Sequence, residues 1–420
     1  MPKVYVNARP SFLLFVAAAV MTAGCATSAR STLFPATQSL ESGRVQSAGA
    51  VVTTIYSFGS QERDGESPEA GLVDLNGTLY GSTASGGAYK SGRVCGRDGG
   101  CGTLFSVTPS GTETVIYNFR PGGRQGANPQ AALVVFKGEL YGTTSYGGSN
   151  ECFGGYGCGT VFSLTTTGAE KVLHRFNGSD GESPVSKLLS AGGTFYGTAE
   201  AGGASAYGTV FSVTPAGTYR VLHSFAGGND GEYPSAGLVN VNGIFYGTTS
   251  AGGKYGYGIV FSITPSGGEK IVHAFNGSDG KFPEAALTNV NGTLYGTATE
   301  GGHANGVVFS LKTNGDEIVL HRFAGGNDGA LPLANLLNVN GTLFGTTQGG
   351  GAMGCGSSGC GTVFSITTAG VEKVLYRFTG GVDDGAGPQA GLVNVNGTLY
   401  GTTVAGGANR FGAVYSVTGF

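Results

Sequence analysis

The sequence predicts an all-β protein, a seven-bladed β-propeller built from four-stranded blades. Three observations favour this fold: an aromatic-Gly pair recurs seven times, each repeat has four short β-rich runs, and the set of repeats is offset by one run. The pairs begin, at intervals of 49 to 61 residues, at Tyr80, Tyr141, Tyr196, Tyr246, Tyr295, Phe344 and Tyr400. A Gly-rich repeat of this length is typical of solenoids and propellers.

The four runs are clearest in the fourth repeat. Runs a, b, c and d span 237–241, 244–249, 258–264 and 269–275. Asn242-Gly243 separates runs a and b, and Asn-Gly is a preferred hairpin turn because both residues must adopt positive φ. Runs b and c are apolar or small on both faces, so each sheet needs a neighbouring sheet on either side.

The offset of the repeats distinguishes a closed ring from an open solenoid. The first run d, at 51–58, precedes every a–b–c trio, and the last trio, which ends at 414–420, has no run d after it. We therefore expect strand 51–58 to complete the last blade, so that residues 51–420 form one ring. An open solenoid would instead need atypical polar caps.

The N-terminus predicts export. Lys3 and Arg9 precede an apolar run at 12–21, which is short for a membrane span and typical of a signal peptide over residues 1–24. The following Thr22-Ala23-Gly24-Cys25 resembles a bacterial lipobox, in which Cys25 becomes lipidated. Residues 25–50 would then be a flexible tether, and the protein an exported lipoprotein of the outer membrane or cell surface. A plain signal peptide cleaved near this point is the alternative.

Composition limits the classes of partner. The net charge is −3 and only 12% of residues are charged, whereas nucleic acids and acidic membranes attract clustered Lys and Arg. We therefore expect no nucleic-acid partner and membrane contact through the lipid alone. The sequence has no P-loop, dinucleotide fingerprint or Ser-His-Asp order, so we expect no cofactor. We also expect a monomer.

Six of the seven cysteines form three local pairs in the b–c loops of repeats 1, 2 and 6. The pairs are Cys95/Cys101, Cys152/Cys158 and Cys355/Cys360, and the second member always precedes Gly-Thr. Spacing alone leaves several connectivities open, but recurrence at one place in the repeat favours local disulfides. Metal binding is the alternative; these loops contain no His and export favours oxidation, so we expect no metal.

The d–a and b–c loops are predicted to share one face, which carries all the long or variable loops. Loops that vary on a rigid scaffold tend to carry function. The candidate binding residues are Tyr89, Tyr146, Phe153, Tyr156, Glu200, Tyr207, Tyr255, Tyr257, Glu300, His303 and Phe411. The aromatic rings in this set can stack on sugars or anchor a protein. Alternatively, they fill gaps between the loops. Glu200 and Glu300 come from non-adjacent repeats, and a glycosidase-like carboxylate pair stays a hypothesis.

Six d–a loops contain an Asp-Gly pair, at Asp64, Asp180, Asp230, Asp279, Asp328 and Asp384. A ring of carboxylates near the channel mouth can bind a cation or a polyol, but Asp before Gly also forms Asx turns, which favours a structural role. His174, His223, His273 and His321 share one position in run d with tyrosines of other repeats, which indicates packing.

The recurring motif, a hairpin ending in Tyr-Gly-Thr followed by Gly-Gly and then Gly-Thr-Val-Phe-Ser, resembles the bacterial GloVer tandem repeat. The resemblance covers residues 51–420 and implies an exported, surface-anchored repeat protein. The repeat is also similar to a kelch blade, although it lacks the Trp of that motif. We therefore expect a lipid-anchored module that binds a glycan or an envelope protein. The alternative is an exported hydrolase or lyase that acts on polysaccharide.

Overall fold

A computed structural model of the chain describes residues 49–89, 95, 99–120, 124–149, 151–152, 154–302 and 304–420. Their strands form seven four-stranded antiparallel sheets and three two-stranded ones, and they confirm the seven-bladed propeller. The predicted signal peptide, the Cys25 anchor, most of the tether, Phe153 and His303 lie outside the described residues. Among the described residues, no helix has the length and apolar character needed to cross a membrane.

Each blade consists of four strands, and we call them a to d from the channel outwards. Blade 1 contains β3 (Val73–Leu75), β4 (Thr78–Thr83), β6 (Thr103–Val107) and β7 (Glu113–Asn118). Blade 2 contains β9 (Val134–Phe136), β10 (Glu139–Thr144), β12 (Thr160–Leu164) and β13 (Glu170–Arg175). Blade 3 contains β14 (Leu189–Ala191), β15 (Thr194–Ala199), β16 (Thr209–Val213) and β17 (Tyr219–Ser224).

The remaining blades repeat this order. Blade 4 contains β18 (Val239–Val241), β19 (Ile244–Thr249), β20 (Ile259–Ile263) and β21 (Glu269–Ala274). Blade 5 contains β22 (Thr288–Val290), β23 (Thr293–Ala298), β24 (Val307–Lys312) and β25 (Glu317–Arg322). Blade 6 contains β26 (Leu337–Val339), β27 (Thr342–Thr347), β28 (Thr362–Thr367) and β29 (Glu372–Arg377).

Blade 7 joins the two ends of the described chain. It contains β31 (Val393–Val395), β32 (Thr398–Thr403), β34 (Ala413–Thr418) and, outermost, β1 (Val51–Ser57). Strand β1 pairs antiparallel with β34, with Val51 opposite Thr418 and Ser57 opposite Ala413. The closing strand predicted from the offset of the repeats is therefore confirmed.

An aromatic ring seals each boundary between consecutive blades. The Phe that follows strand d packs edge-on against the aromatic residue of strand c in the next blade, with ring centroids 5.0 to 5.6 Å apart. The pairs are Phe58–Phe105, Phe119–Phe162, Phe176–Phe211, Phe225–Phe261, Phe275–Phe309, Phe323–Phe364 and Phe378–Tyr415. Edge-to-face contact is a favoured arrangement of aromatic rings, so each boundary gains both burial and a preferred ring geometry.

The Gly of the recurring aromatic-Gly pair is required by this packing. A Cβ atom on Gly247 would lie 2.6 Å from Phe261 Cζ and 2.8 Å from Leu238 Cδ2. The ring of strand c therefore lies directly over the Gly of strand b.

The loops divide between two faces of the ring. Short strands join the d–a loop to the b–c loop in three blades: β2 (Gly65–Glu66) pairs with β5 (Ser85–Gly86), β8 (Gly126–Ala127) with β11 (Tyr146–Gly147), and β30 (Gly385–Ala386) with β33 (Ala405–Gly406). In the other four blades single bridges join the same loops, as between Glu232 and Ala251.

Short 3-10 helices span Gly228–Asp230, Gly326–Asp328 and Met353–Ser358. The tight a–b turns lie on the opposite face; in one of them Gly243 donates its N–H to Asn240 Oδ1 at 2.8 Å.

Candidate functional site

The channel wall is built from seven equivalent inner segments, one before each strand a. Each segment starts with a proline, and the residue before that proline has a φ between 54° and 63° in every blade. The prolines are Pro68, Pro129, Pro184, Pro234, Pro283, Pro332 and Pro388. Side chains of strand b hold the segment of the next blade in place; Thr198 Oγ1, for example, donates to the Ala236 carbonyl at 2.9 Å.

These segments enclose a central cavity of about 470 Å³ to which all seven blades contribute. The volume lies within the range of roughly 300–1,000 Å³ found for small-molecule sites. Most of the wall is small or apolar, and its only charged residues among those described are Glu69, Lys187 and Glu284. These three residues come from blades 1, 3 and 5, so the charged groups are distributed around the cavity wall.

A hydrogen-bonded chain crosses from blade 1 to blade 2 in this cavity. Gln130 Nε2 donates to Glu69 Oε2 at 2.7 Å, and Ser145 Oγ donates to Gln130 Oε1 at 2.7 Å. Burial raises the pKa of Glu69, and the bond from Gln130 opposes that rise. The amide of Gln130 is thus oriented by partners at both of its ends, which fixes the position of the Glu69 carboxyl.

Glu284 of the cavity wall interacts with Glu200, which lies beside the cavity. Burial raises the pKa of Glu200, and the negative charge of Glu284 raises it further. The pKa of Glu284 is also raised, first by confinement in the channel and then by Glu300, while a bond from Thr299 Oγ1 at 3.3 Å lowers it. Glu200 lies in blade 3 and Glu300 in blade 5. Glu284 therefore interacts electrostatically with an acid from each of these two b–c loops.

Lys187 supplies the one positive charge of the described cavity wall. Its side chain is exposed to the channel, yet the surrounding wall restricts hydration and lowers the pKa of its ammonium group. The cavity therefore offers carboxylates, an amide and an ammonium group within one enclosure.

Tyr146 lies between the acids of blades 1 and 3. Burial raises the pKa of its hydroxyl, and the charges of Glu200 and Glu69 contribute to the rise. Its ring centroid is 5.8 Å from that of Tyr156, which is 38% exposed. The structure thus brings two predicted aromatic residues, Tyr146 and Tyr156, together near Glu69 and Glu200.

Several other predicted aromatic residues pack against loops of their own blade. A Cβ on Gly227 would meet the Tyr207 ring at 2.5 Å, and one on Gly277 would meet Tyr257 at 3.2 Å. Phe411 covers Gly59 in the same way, although 41% of it is exposed. Outside these contacts, Tyr89 stacks under Arg120 at 5.1 Å, and Tyr255 is 49% exposed beside Lys254.

The six Asp of the d–a loops lie at the outer strands, and none of them lines the cavity. In each of these six blades the Asp is bonded to the His or Tyr of strand d, at 2.7 to 3.3 Å. Asp64, for example, accepts from the Tyr56 hydroxyl and from the Ser60 and Gly65 N–H groups. These contacts place the ring of carboxylates away from the channel mouth and favour its interpretation as turn and strand support.

Three disulfides stabilise loops on the same face. They join Cys95 to Cys101, Cys152 to Cys158 and Cys355 to Cys360, with Cα atoms 4.4, 5.0 and 5.1 Å apart. They belong to blades 1, 2 and 6, so the stapled loops cluster on one side of the ring around blade 7. Disulfides form in oxidising compartments, and the protein is therefore an exported one.

Sequence reasoning missed Glu69, Gln130, Lys187 and Glu284. A signal for them exists. Glu69, Gln130 and Glu284 directly follow the proline that begins each inner segment, a position that holds Glu or Gln in four of the seven repeats. Lys187 lies three residues after that proline, where most other repeats have Gly or Ala. Comparison of the repeats identified the aspartates of the d–a loops and unmatched acids in the b–c loops, but it passed over the inner segments, which look like an ordinary run a until the ring is closed.

Comparisons with known proteins give a match to one repeat family. The sequence model described as the Gloeobacter/Verrucomicrobia repeat matches residues 95–305 and 291–419. No curated protein matches the chain. Among solved structures, a Bacteroides uniformis protein provisionally named a 6-phosphogluconolactonase has 14% identity and a TM-score of 0.49, over 78% of this chain and 94% of that one. A luciferin-regenerating enzyme has 13% identity and a TM-score of 0.41, over 89% of this chain and 96% of that one. At this level of similarity neither structure bears on function.

Proposed function

The chain belongs to the Gloeobacter/Verrucomicrobia repeat family, and on that premise we propose that it is an exported bacterial binding module that holds a glycan at the mouth of its central channel. The observation that carries this proposal is the convergence of carboxyl, amide and ammonium side chains on one cavity. Glu69, Gln130 and Glu284 line it, and Glu200 and Tyr146 lie beside it.

The chemistry of this group suits sugar hydroxyls. A hydroxyl both donates and accepts, so it can donate to the carboxylates of Glu69 or Glu284 and accept from Lys187. The paired rings of Tyr146 and Tyr156 offer an apolar surface with polar edges, on which a sugar ring can stack. A protein partner would need a broad contact surface, whereas here the unusual polar groups are concentrated in one concave site.

We also propose that Cys25 carries a lipid anchor, because Thr22-Ala23-Gly24-Cys25 resembles a bacterial lipobox. Mass spectrometry of the mature N-terminus tests the lipid, and a Cys25→Ser variant that still fractionates with membranes would contradict it.

A glycan array probed with the purified mature chain tests the binding function. We expect binding to a restricted set of glycans, and isothermal titration with a hit should show weaker affinity for Glu69→Gln and Glu284→Gln. Glu151→Gln is the matched control, since Glu151 is an exposed acid of a b–c loop that does not line the cavity. Equal losses in the control, or no binding to any glycan, would contradict the proposal.

A polysaccharide hydrolase or lyase is the second candidate. It is favoured by the interaction of Glu200 with Glu284, because a carboxyl whose pKa is raised can act as a general acid beside an ionised carboxylate. Reducing-sugar release or product absorbance on the same glycan panel separates the two functions. An enzyme would lose turnover on a single change, Glu200→Gln or Glu284→Gln, while a binding module would show no product at any stage.

A further inference from the structure

Three boundaries between blades carry the same trio of side chains, far from the central cavity. Each trio combines the His of strand d and the Asp of the d–a loop in one blade with the Glu that opens strand d of the next. The trios are His223–Asp230–Glu269, His273–Asp279–Glu317 and His321–Asp328–Glu372, and in each of them one donor atom per residue lies within 4.8 Å of the other two.

We propose that each of these three trios binds a divalent transition-metal ion, with Zn²⁺ as the representative, and so clamps two consecutive blades together. One imidazole nitrogen and two carboxylate oxygens form a donor set that Zn²⁺ accepts, with water completing the coordination. The donors come from both sides of a boundary, so a bound ion links blades 3 to 4, 4 to 5 and 5 to 6.

The spacing of the His and Asp atoms fits a common ion. The Nε2–Oδ2 distances are 3.3, 3.2 and 3.2 Å in the three trios. Two ligands bound at about 2.0–2.2 Å in a tetrahedral site lie about 3.3–3.5 Å apart. The His Nε2 and Asp Oδ2 atoms are hydrogen-bonded at this distance, and a shared ion would replace that bond at nearly the same separation.

The Glu of each trio has an unpaired buried oxygen, a feature that it shares with the equivalent Glu113 and Glu170. Oε1 of Glu269, Glu317 and Glu372 is buried and has no hydrogen-bond partner among the described residues. A buried carboxylate oxygen without a partner is unfavourable, and an ion held with the neighbouring His and Asp would satisfy it. The His and Asp side chains are 10 to 26% exposed, which leaves an entry path for the ion.

Other boundaries in the same ring show what the trio requires. At the boundary of blades 2 and 3, His174 and Asp180 are 3.0 Å apart, but Tyr219 replaces the Glu. Its ring stacks on His174 at 3.6 Å and its hydroxyl donates to the Asp180 carbonyl at 2.7 Å, so the third donor is missing. Glu113 and Glu170 also have an unpaired Oε1, but there Tyr56 and Tyr117 replace the His. We therefore expect three ions per chain among the described boundaries.

Two of the three trios join blades that have no disulfide among the described residues, namely blades 3 to 4 and 4 to 5. The third joins blade 5 to blade 6, whose b–c loop contains Cys355–Cys360. Metal binding is a second means by which an exported protein can hold its structure together without more burial.

The test is a Zn²⁺ titration of the full mature chain after removal of bound metal with a chelator. Calorimetry and elemental analysis should give three ions per chain, with a rise in melting temperature. Glu269→Gln, Glu317→Gln and Glu372→Gln should each remove one ion, and the triple variant all three. Glu170→Gln is the matched control, because it changes the same strand position in a boundary without the trio, and it should still bind three.

Crystals of the wild-type chain grown with Zn²⁺ give a second readout that does not depend on how variants fold. Anomalous scattering at the zinc edge should place peaks at the three trios. Fewer than one bound ion per chain at micromolar Zn²⁺, or ions that persist in a folded triple variant, would overturn the proposal. Peaks at the channel glutamates alone would overturn it too.

Discussion

Gln130 donates its Nε2–H to Glu69 Oε2 at 2.7 Å, and this bond joins blades 1 and 2 inside the central cavity. Ser145 bonds the other end of the same amide, so the Glu69 carboxyl is held from a neighbouring blade. A binding group held in this way is pre-organised, since it gives up little side-chain freedom when a ligand arrives.

The first prediction concerns this bond. Gln130→Ala should weaken binding of the array-selected glycan roughly 10- to 100-fold, because a hydrogen bond to a charged group contributes about 1.5–3 kcal/mol. Gln125→Ala is the control; Gln125 takes the place of the outer Asp in its blade and does not line the cavity. Titration calorimetry measures both variants. Equal affinities for Gln130→Ala and the wild type would mean that the bond from Gln130 does not contribute to glycan binding.

The second prediction concerns the Gly of the repeat motif. Gly247→Ala should destabilise the protein by about 1–3 kcal/mol, because its new Cβ would lie 2.6 Å from Phe261 Cζ and the packed boundary must shift. Gly381→Ala is the control, since a Cβ there would meet only Thr379 Oγ1, at 3.7 Å. Urea denaturation followed by near-UV circular dichroism compares the two. A Gly247 variant as stable as the control would mean that the ring of Phe261 moves freely.

The fold could be predicted because its determinants are local and repeated. The Asn242-Gly243 turn, the alternation of short runs and the unmatched run at 51–58 each carry their meaning in sequence. The candidate site could not be predicted in the same way. Glu69 and Glu284 lie in equivalent segments of blades 1 and 5, and only closure of the ring brings their side chains to one cavity. Likewise, Asp64 meets Tyr56 through a turn whose geometry the sequence does not specify.

The third prediction is a pH dependence from Glu113. Burial, followed by the charge of Asp64, raises its pKa from 4.5 to about 7, while Tyr56 lowers it slightly. The folded state thus holds the proton more tightly than the unfolded one, so this stabilisation is complete below about pH 4.5 and is lost as the pH rises towards 7. Glu113→Gln should remove the loss and stabilise the protein at pH 8 by on the order of 2 kcal/mol, with little effect at pH 4.5.

Thermal unfolding between pH 4.5 and 8 measures this effect. Glu62→Gln serves as the control, because Glu62 is exposed in the d–a loop of the same boundary, and its unfolding curve should follow the wild type. If Glu113→Gln keeps the slope of the wild type across this range, another group is responsible for it.

The fourth prediction concerns the one blade boundary whose strand c has Tyr instead of Phe. Tyr415 is 1% exposed and its hydroxyl is buried without a hydrogen-bond partner among the described residues, and burial strongly raises its pKa. Tyr415→Phe should stabilise the protein by about 1 kcal/mol, since it removes an unsatisfied buried group and restores the aromatic pair of the other boundaries. Tyr56→Phe is the matched control with the opposite sign, because the Tyr56 hydroxyl donates to Asp64 Oδ2 at 2.7 Å and its loss should cost about 1 kcal/mol. The urea midpoints of the two variants measure these opposite effects. If both midpoints fall below that of the wild type, the Tyr415 hydroxyl has a hydrogen-bond partner. Blade 7 would then be stabilised by a polar contact as well as by the pairing of β1.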